Sequence, residues 1–307
     1  MADIHHYVFF DFEMLCSNTG MSFTDMEAIR LGAVKYDLNT SSITSFDEYI
    51  KPLNSAPLST FCKNLTGIKD EDLSRAKPFP EVFEEFLKWV GGVKKAHFFS
   101  WSKSDLTRLK NDSELHAWPA STIRKIEQRY TDLQAVIANR VTKSQFSVEN
   151  VLKLYSLDFY GEPHNPMFDA YNTCRIYMCF KNQPLMSDII MVKQFITDEL
   201  TSYDPNTVNK LVKQQLRQDI LSISNGLSNI YRMKDAYKFL KKSSRIVDKY
   251  ENVALNRSGL FTEELTTDVQ SFTSLFNSLV DSYKEHYRHY SKVLIFDDYT
   301  ISELKQL

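Results

Sequence analysis

What this chain lacks narrows it first. It has only four cysteines in 307 residues, Cys16, Cys62, Cys174 and Cys179, and no two of them stand in a CxxC pair. That spacing excludes a disulfide framework and reads as free thiols in a reducing compartment. No charge of one sign dominates. The formal net charge is −2, so no global basic field announces a nucleic-acid partner, although a local patch or a bound divalent metal would serve as well. No apolar run approaches the ~20 residues needed to span a bilayer. The opening MADIHHYVFFDFE has no basic segment ahead of an apolar core, so it does not read as a signal peptide. No internal repeat or low-complexity segment is evident. These absences point to a soluble protein, expected in the cytoplasm.

What is present is ordinary globular material. With 43% hydrophobic and 25% charged residues, a sizeable core is available, and the length suits one large domain or two ordinary ones. Three segments near the start read as strands: Tyr7–Phe12, Ala28–Tyr36 and Ile43–Ile50. The short links between them favour an antiparallel meander. A helix is expected over EVFEEFLKWV, stopping at Gly91-Gly92. A short aromatic strand follows at Ala96–Trp101, then a helix over Ser102–Asn111 and a strand leading into a helix at Tyr130–Val136. In SVENVLKLYSL, Ser147 stands at an N-cap position. Strands first, then alternating helix and strand, predict an α/β layered domain over residues 1–184.

From there the character changes. Gln183-Pro184 breaks the preceding helix, and residues 185–307 have almost no glycine or proline and long helical periodicity. They read as an all-helical C-terminal domain. Val208–Lys249 carries ten Lys and Arg against three Asp. Basic helices are mostly solvated faces, and this one shows no interleaved aromatic signature. The apolar faces of the C-terminal helices leave oligomerisation or a protein partner open.

Paired carboxylates are the candidate chemistry. The first strand ends in Asp11-Phe12-Glu13, and alternation puts both acids on one side and Phe12 on the other. Such a pair can hold a hard divalent cation through oxygen. With 22 Asp and 17 Glu, however, about one D-x-E arises by chance, and Asp25 and Glu27 form a second. His164 stands five residues before Asp169 in HNPMFDAYNTCRIY, but His6 stands equally far before Asp11. Order carries more weight. Asp11 and Glu13 end a strand, Asp105 starts a helix after the next central strand, and Asp169 starts the domain's last helix. Four clustered carboxylates would repel and raise one another's pKa, a penalty that two divalent cations remove.

In that order the residues of Tyr7 to about Lys181 resemble a DEDDh 3′→5′ exonuclease of the DnaQ-like, RNase H-like superfamily. FFDFEML matches its first motif, SWSKSDLTRLKND its second and HNPMFDAYNTCRIY its third; LGAVKYD resembles its second strand. The Asp-Phe-Glu form and DAYNTCRIY resemble the branch containing the histone-mRNA 3′ exonuclease and KapD-like proteins. Arg30 departs from the pattern, since many relatives carry an acid there.

The resemblance implies an RNase H-like mixed sheet with flanking helices. It also implies a metal-dependent hydrolase that releases nucleoside monophosphates from single-stranded 3′ ends, with RNA slightly favoured over DNA. Asp11, Glu13, Asp105 and Asp169 would bind two Mg²⁺ or Mn²⁺ ions, and His164 would be the general base. Phe12, Met14, Leu15, Thr66 and Trp101 are substrate-binding candidates, each with a plain packing or capping role as its alternative. A DNA-specific exonuclease, or a binding or regulatory module that keeps the fold without turnover, stays open. Cys174 and Cys179 read as packing residues on an apolar helix.

Overall fold

The computed structural model describes residues 3–200, 204–255, 259–296 and 298–307. The chain forms two compact units, one of residues 1–140 and 144–182, the other of residues 141–143 and 183–307.

The first unit is built on six strands: β1 (His6–Met14), β2 (Ala28–Asp37), β3 (Ile43–Lys51), β4 (Lys77–Pro78), β5 (Ala96–Ser100) and β6 (Tyr130–Asp132). They lie in the order β4-β3-β2-β1-β5-β6. The β1–β2 and β2–β3 pairs are antiparallel, the second as its short link requires, and the remaining pairs are parallel. Its helices are α1 (Thr60–Thr66), α2 (Asp70–Ser74), α3 (Phe79–Val90), α4 (Lys103–Leu115), α5 (Ala120–Glu127), α6 (Leu133–Arg140), α7 (Val148–Leu154) and α8 (Pro166–Asn182). This is a mixed sheet with flanking helices.

The alternation of β1 assigns its residues to two layers. Val8, Phe10 and Phe12 pack with Phe83, Phe86, Leu106 and Leu109 of α3 and α4. Phe9 faces the other way, against Val34, Phe99 and the α8 residues Ala170 and Cys174. Phe9 and Phe99 stack at 4.8 Å, and Tyr177 of α8 lies 4.5 Å from Phe99. Odd-numbered residues of β1 therefore look toward α8.

The α8 helix sits unusually close to the sheet. A β-carbon at Gly32 would lie 2.0 Å from the Met167 amide nitrogen, so only glycine permits this approach. In register, Gly32 stands opposite Asp11.

The second unit contains α9 (Pro184–Phe195), α10 (Pro205–Leu227), α11 (Met233–Tyr250), α12 (Glu263–Arg288) and α13 (Asp298–Gln306). Its core gathers Val212, Leu216, Ile220 and Ile223 of α10 with Phe272 and Phe276 of α12. Asp219 binds Lys249 at 2.8 Å and the Tyr250 hydroxyl at 2.7 Å, which ties α10 to α11. No helix among the described residues is long and apolar enough to cross a membrane.

Candidate active site

The site forms where the sheet loses a partner strand. The β1–β5 ladder runs from His6 with Ala96 to Phe9 with Phe99, whereas β1 continues beside β2 to Met14. The carboxyl end of β1 therefore projects past β5, and the parallel strands open a crevice there, as carboxyl-terminal strand ends do in α/β sheets. Asp11 and Glu13 occupy this overhang on the α8 side. The crevice is a cavity of about 650 Å³ bordered by Asp11, Glu13, Asp105, His164 and Asp169, with Met14 and Trp101 at its walls.

Three acids meet there. Carboxylate oxygens of Asp11, Glu13 and Asp169 lie within 4.8 Å of one another. Asp105 stands outside that trio. It is 4% exposed, in the first turn of α4, where Ser102 caps the helix by accepting from the Ser104 N–H. Its Oδ1 accepts from the Phe12 N–H at 3.3 Å, the bond that β5 would have supplied had it been longer.

No lysine or arginine neutralises the group outright. Burial, then Asp105, Asp169 and Glu13, hold the Asp11 carboxyl well above the usual range. Burial and the Asp169 charge push Glu13 up to about 8, with Arg30 across the strand pair pulling the other way. Arg30 itself is engaged by Asp47 through bonds of 2.8 and 2.7 Å. Burial raises Asp105 to about 7, against hydrogen bonds from the Phe12 N–H, its own N–H and Ser100 that favour its charged form. Asp169 rises to about 6 through burial, restrained by the His164 charge and backbone N–H. An all-oxygen donor set whose members discourage one another's ionisation fits a hard divalent cation.

His164 is exposed on the loop before α8, with a left-handed backbone at φ 62°. Asn165 caps α8 by accepting from the Met167 N–H at 3.2 Å. The loop is clamped to the helix by Asn172, which is fully buried. Its amide donates to the carbonyls of Tyr160 and Phe168, each at 2.9 Å. Its oxygen accepts from the Tyr160 N–H at 3.1 Å and from Arg175 at 2.8 Å. Gly161 lies against the Phe168 ring, where a β-carbon would meet it at 2.3 Å.

The substrate-binding candidates divide. Met14 and Trp101 border the cavity, and the Trp101 indole donates to the Phe146 carbonyl at 3.1 Å. Phe12 also borders the cavity, while alternation sends its side chain into the α3–α4 core, where it is 4% exposed. Leu15 is likewise a core residue, packed with Ile29, Leu58 and Cys62. Thr66 is buried and caps its own turn, donating to the Cys62 carbonyl at 2.8 Å and accepting from the Ile68 N–H at 3.2 Å. Sequence reasoning missed Gln134, Glu149 and Phe159, which border the cavity from α6, α7 and the loop before α8. It also missed the clamp at Asn172, whose only signal was an amide in the middle of an apolar helix.

Against known proteins, the Exonuclease (RNase_T) family model matches residues 8–177. The mouse protein "3'-5' exoribonuclease 1" is 29% identical over 182 residues, covering 54% of this chain and 50% of the relative. A "DNA polymerase III PolC-type" of Streptococcus thermophilus is 25% identical over 299 residues, covering 92% of this chain and 18% of the relative. The chain thus spans about half the length, or less, of the curated relatives it matches. Among solved structures, the nuclease domain of 3'hExo, a DEDDh family member bound to rAMP, superposes with a TM-score of 0.52. It is 24% identical and covers 59% of this chain and 96% of that one, which establishes the fold. With the family model spanning the sheet, the acid cluster and the α8 clamp, the chain belongs to the Exonuclease (RNase_T) family.

Proposed function

We propose that the chain is a metal-dependent 3′→5′ exonuclease that hydrolyses single-stranded nucleic acid to nucleoside monophosphates. The observation that carries the reading is the convergence of Asp11, Glu13 and Asp169 within 4.8 Å, with Asp105 and His164 on the same cavity. Asp11, Glu13, Asp105 and Asp169 would hold two Mg²⁺ or Mn²⁺ ions. When bound, such ions acidify water and offset charge on a phosphodiester and its leaving oxygen. His164 accepts the proton of the attacking water, a task suited to an imidazole near neutral pH. Its exposed position leaves it room to approach the phosphate. Met14 and Trp101 offer apolar surface to the terminal base and sugar.

RNA is favoured as the substrate because exoribonucleases are among the relatives that align over this domain. A DNA reading draws on the polymerase relative, whose alignment covers nearly the whole chain. Residues 1–184 carry the chemistry, and residues 185–307 serve docking or assembly. The four free cysteines suit a reducing cytoplasm.

The test is a degradation ladder on 5′-labelled single-stranded RNA and DNA of matched sequence, in Mg²⁺, Mn²⁺ or EDTA. One-nucleotide steps from the 3′ end, absent in EDTA and in Asp169→Ala, are the expected result. Intact substrate with bound protein would favour a module without turnover.

A further inference from the structure

The second unit carries a surface that its sequence did not announce. Lys234, Tyr237 and Lys241 follow one another at helical spacing along α11. Tyr283, Tyr287 and Arg288 come from the end of α12, far away in sequence. Packing of the two helices brings all of these but Lys241 onto a groove of about 700 Å³, within the usual ~300–1,000 Å³ of ligand pockets. Tyr237 and Tyr283 have ring centroids 6.2 Å apart, and Tyr283 and Tyr287 are 6.3 Å apart at 26°. The Lys241 ammonium lies 5.8 Å over the Tyr237 ring.

These rings are not core material. Tyr237 is 51% exposed and Tyr287 68%; Tyr290, on the same groove, is 93% exposed. A tyrosine row left in water offers faces for a flat aromatic partner. Among the described residues no carboxylate lines the groove, and Lys234 and Arg288 enter no ion pair, although Arg288 also borders a neighbouring cavity with Asp281 and Glu285. The surface thus presents π-faces and positive charge together within the groove, which matches the bases and phosphates of an unpaired strand. An acidic peptide would meet the charges but leave the row of rings without stacking partners.

We propose that the α11–α12 groove binds single-stranded nucleic acid, with bases stacked on Tyr237 and Tyr287 and phosphates on Lys234 and Arg288. The inference rests on the exonuclease reading only for its choice of polymer.

Anisotropy of a 5′-fluorescein strand of roughly 16 nucleotides, RNA or DNA, tests it in EDTA on the full chain. Tyr237→Ala with Tyr287→Ala is expected to weaken binding roughly 30-fold or more, the equivalent of losing two stacks of ~1–3 kcal/mol each. Tyr237→Phe, which keeps the ring, restores affinity at that position. Lys234→Gln with Arg288→Gln lowers the slope of log affinity against log salt by about 1.4, roughly 0.7 per phosphate. Hydrolysis of a nitrophenyl ester of a single nucleotide, which carries no further base to stack, stays at the wild-type rate in all these variants. Unchanged affinity and salt slope in both double variants overturns the proposal. So does a wild-type dimer in sedimentation that Tyr287→Ala dissociates without loss of strand binding. If wild-type protein binds strands through these residues yet hydrolyses neither ester nor strand, the exonuclease reading fails and the groove stands.

Discussion

Gly32 of β2 bears directly on Met167 in the first turn of α8, so closely that a methyl group would sit 2.0 Å from the Met167 nitrogen. Because Gly32 is in register with Asp11, that contact also sets how near Asp169 comes to Asp11 and Glu13. Backbone meets backbone here, and neither side has a rotamer with which to yield. Gly32→Ala is expected to destabilise the protein by about 1–3 kcal/mol or more. It should also lower kcat by at least ~100-fold through displaced acids. Thermal melting and single-turnover rates check both effects.

The acid cluster makes apo stability fall with pH. Folded Glu13, Asp105 and Asp169 hold protons up to about 8, 7 and 6, and Asp11 is also raised, against ordinary values of 3.8 to 4.5. Between these limits the folded state binds more protons than the unfolded state, so stability is lost as pH rises. In EDTA, Tm should decline from about pH 4 to about pH 8. Saturating Mg²⁺ should raise Tm most at the alkaline end, and a Tm in EDTA that is flat with pH would refute the clustering.

Asp11→Asn separates repulsion from ligation. Removing one charge relieves its neighbours, so Tm in EDTA should rise. The same change should abolish the gain from Mg²⁺ and cut activity by roughly 100-fold or more. Calorimetric titration with Mg²⁺ reads the lost ligand directly.

His164 and Asn172 should fail in different ways. His164 is exposed, so His164→Ala should leave Tm and Mg²⁺ binding unchanged and lower kcat by about 10²–10⁴-fold. Asn172→Ala strips partners from the Tyr160 backbone and the Phe168 carbonyl inside the protein. It should cost about 1–3 kcal/mol in stability and lower kcat by letting the His164 loop drift. Melting curves alongside kcat distinguish the two.

Much of the first unit was legible because its signals are local. YVFF and AIRLGAV are aromatic and β-branched enough to fix β1 and β2, and alternation alone assigns Phe12 to the core and its acidic neighbours to the opposite face. The acids were legible as an ordered set, although no single spacing exceeded chance. For Leu15 and Thr66, proximity to a motif says nothing about direction, and the structure shows the packing and capping contacts that the sequence left open as alternatives. The tyrosine groove was hidden for another reason. Each of its two helices carries both tyrosine and cation, but the helices are far apart in sequence, and only packing joins the two sets.

The placement of the acids also orders the events of folding. Asp11 comes from the first strand of its unit and Asp169 from the last helix, so the centre closes one of the longest loops in that unit. Such distant pairings form late, after local helices have gained their own hydrogen bonds. During refolding, helical dichroism should recover before Mg²⁺ affinity does. A nascent chain is catalytically silent until α8 has been made and docked at Gly32.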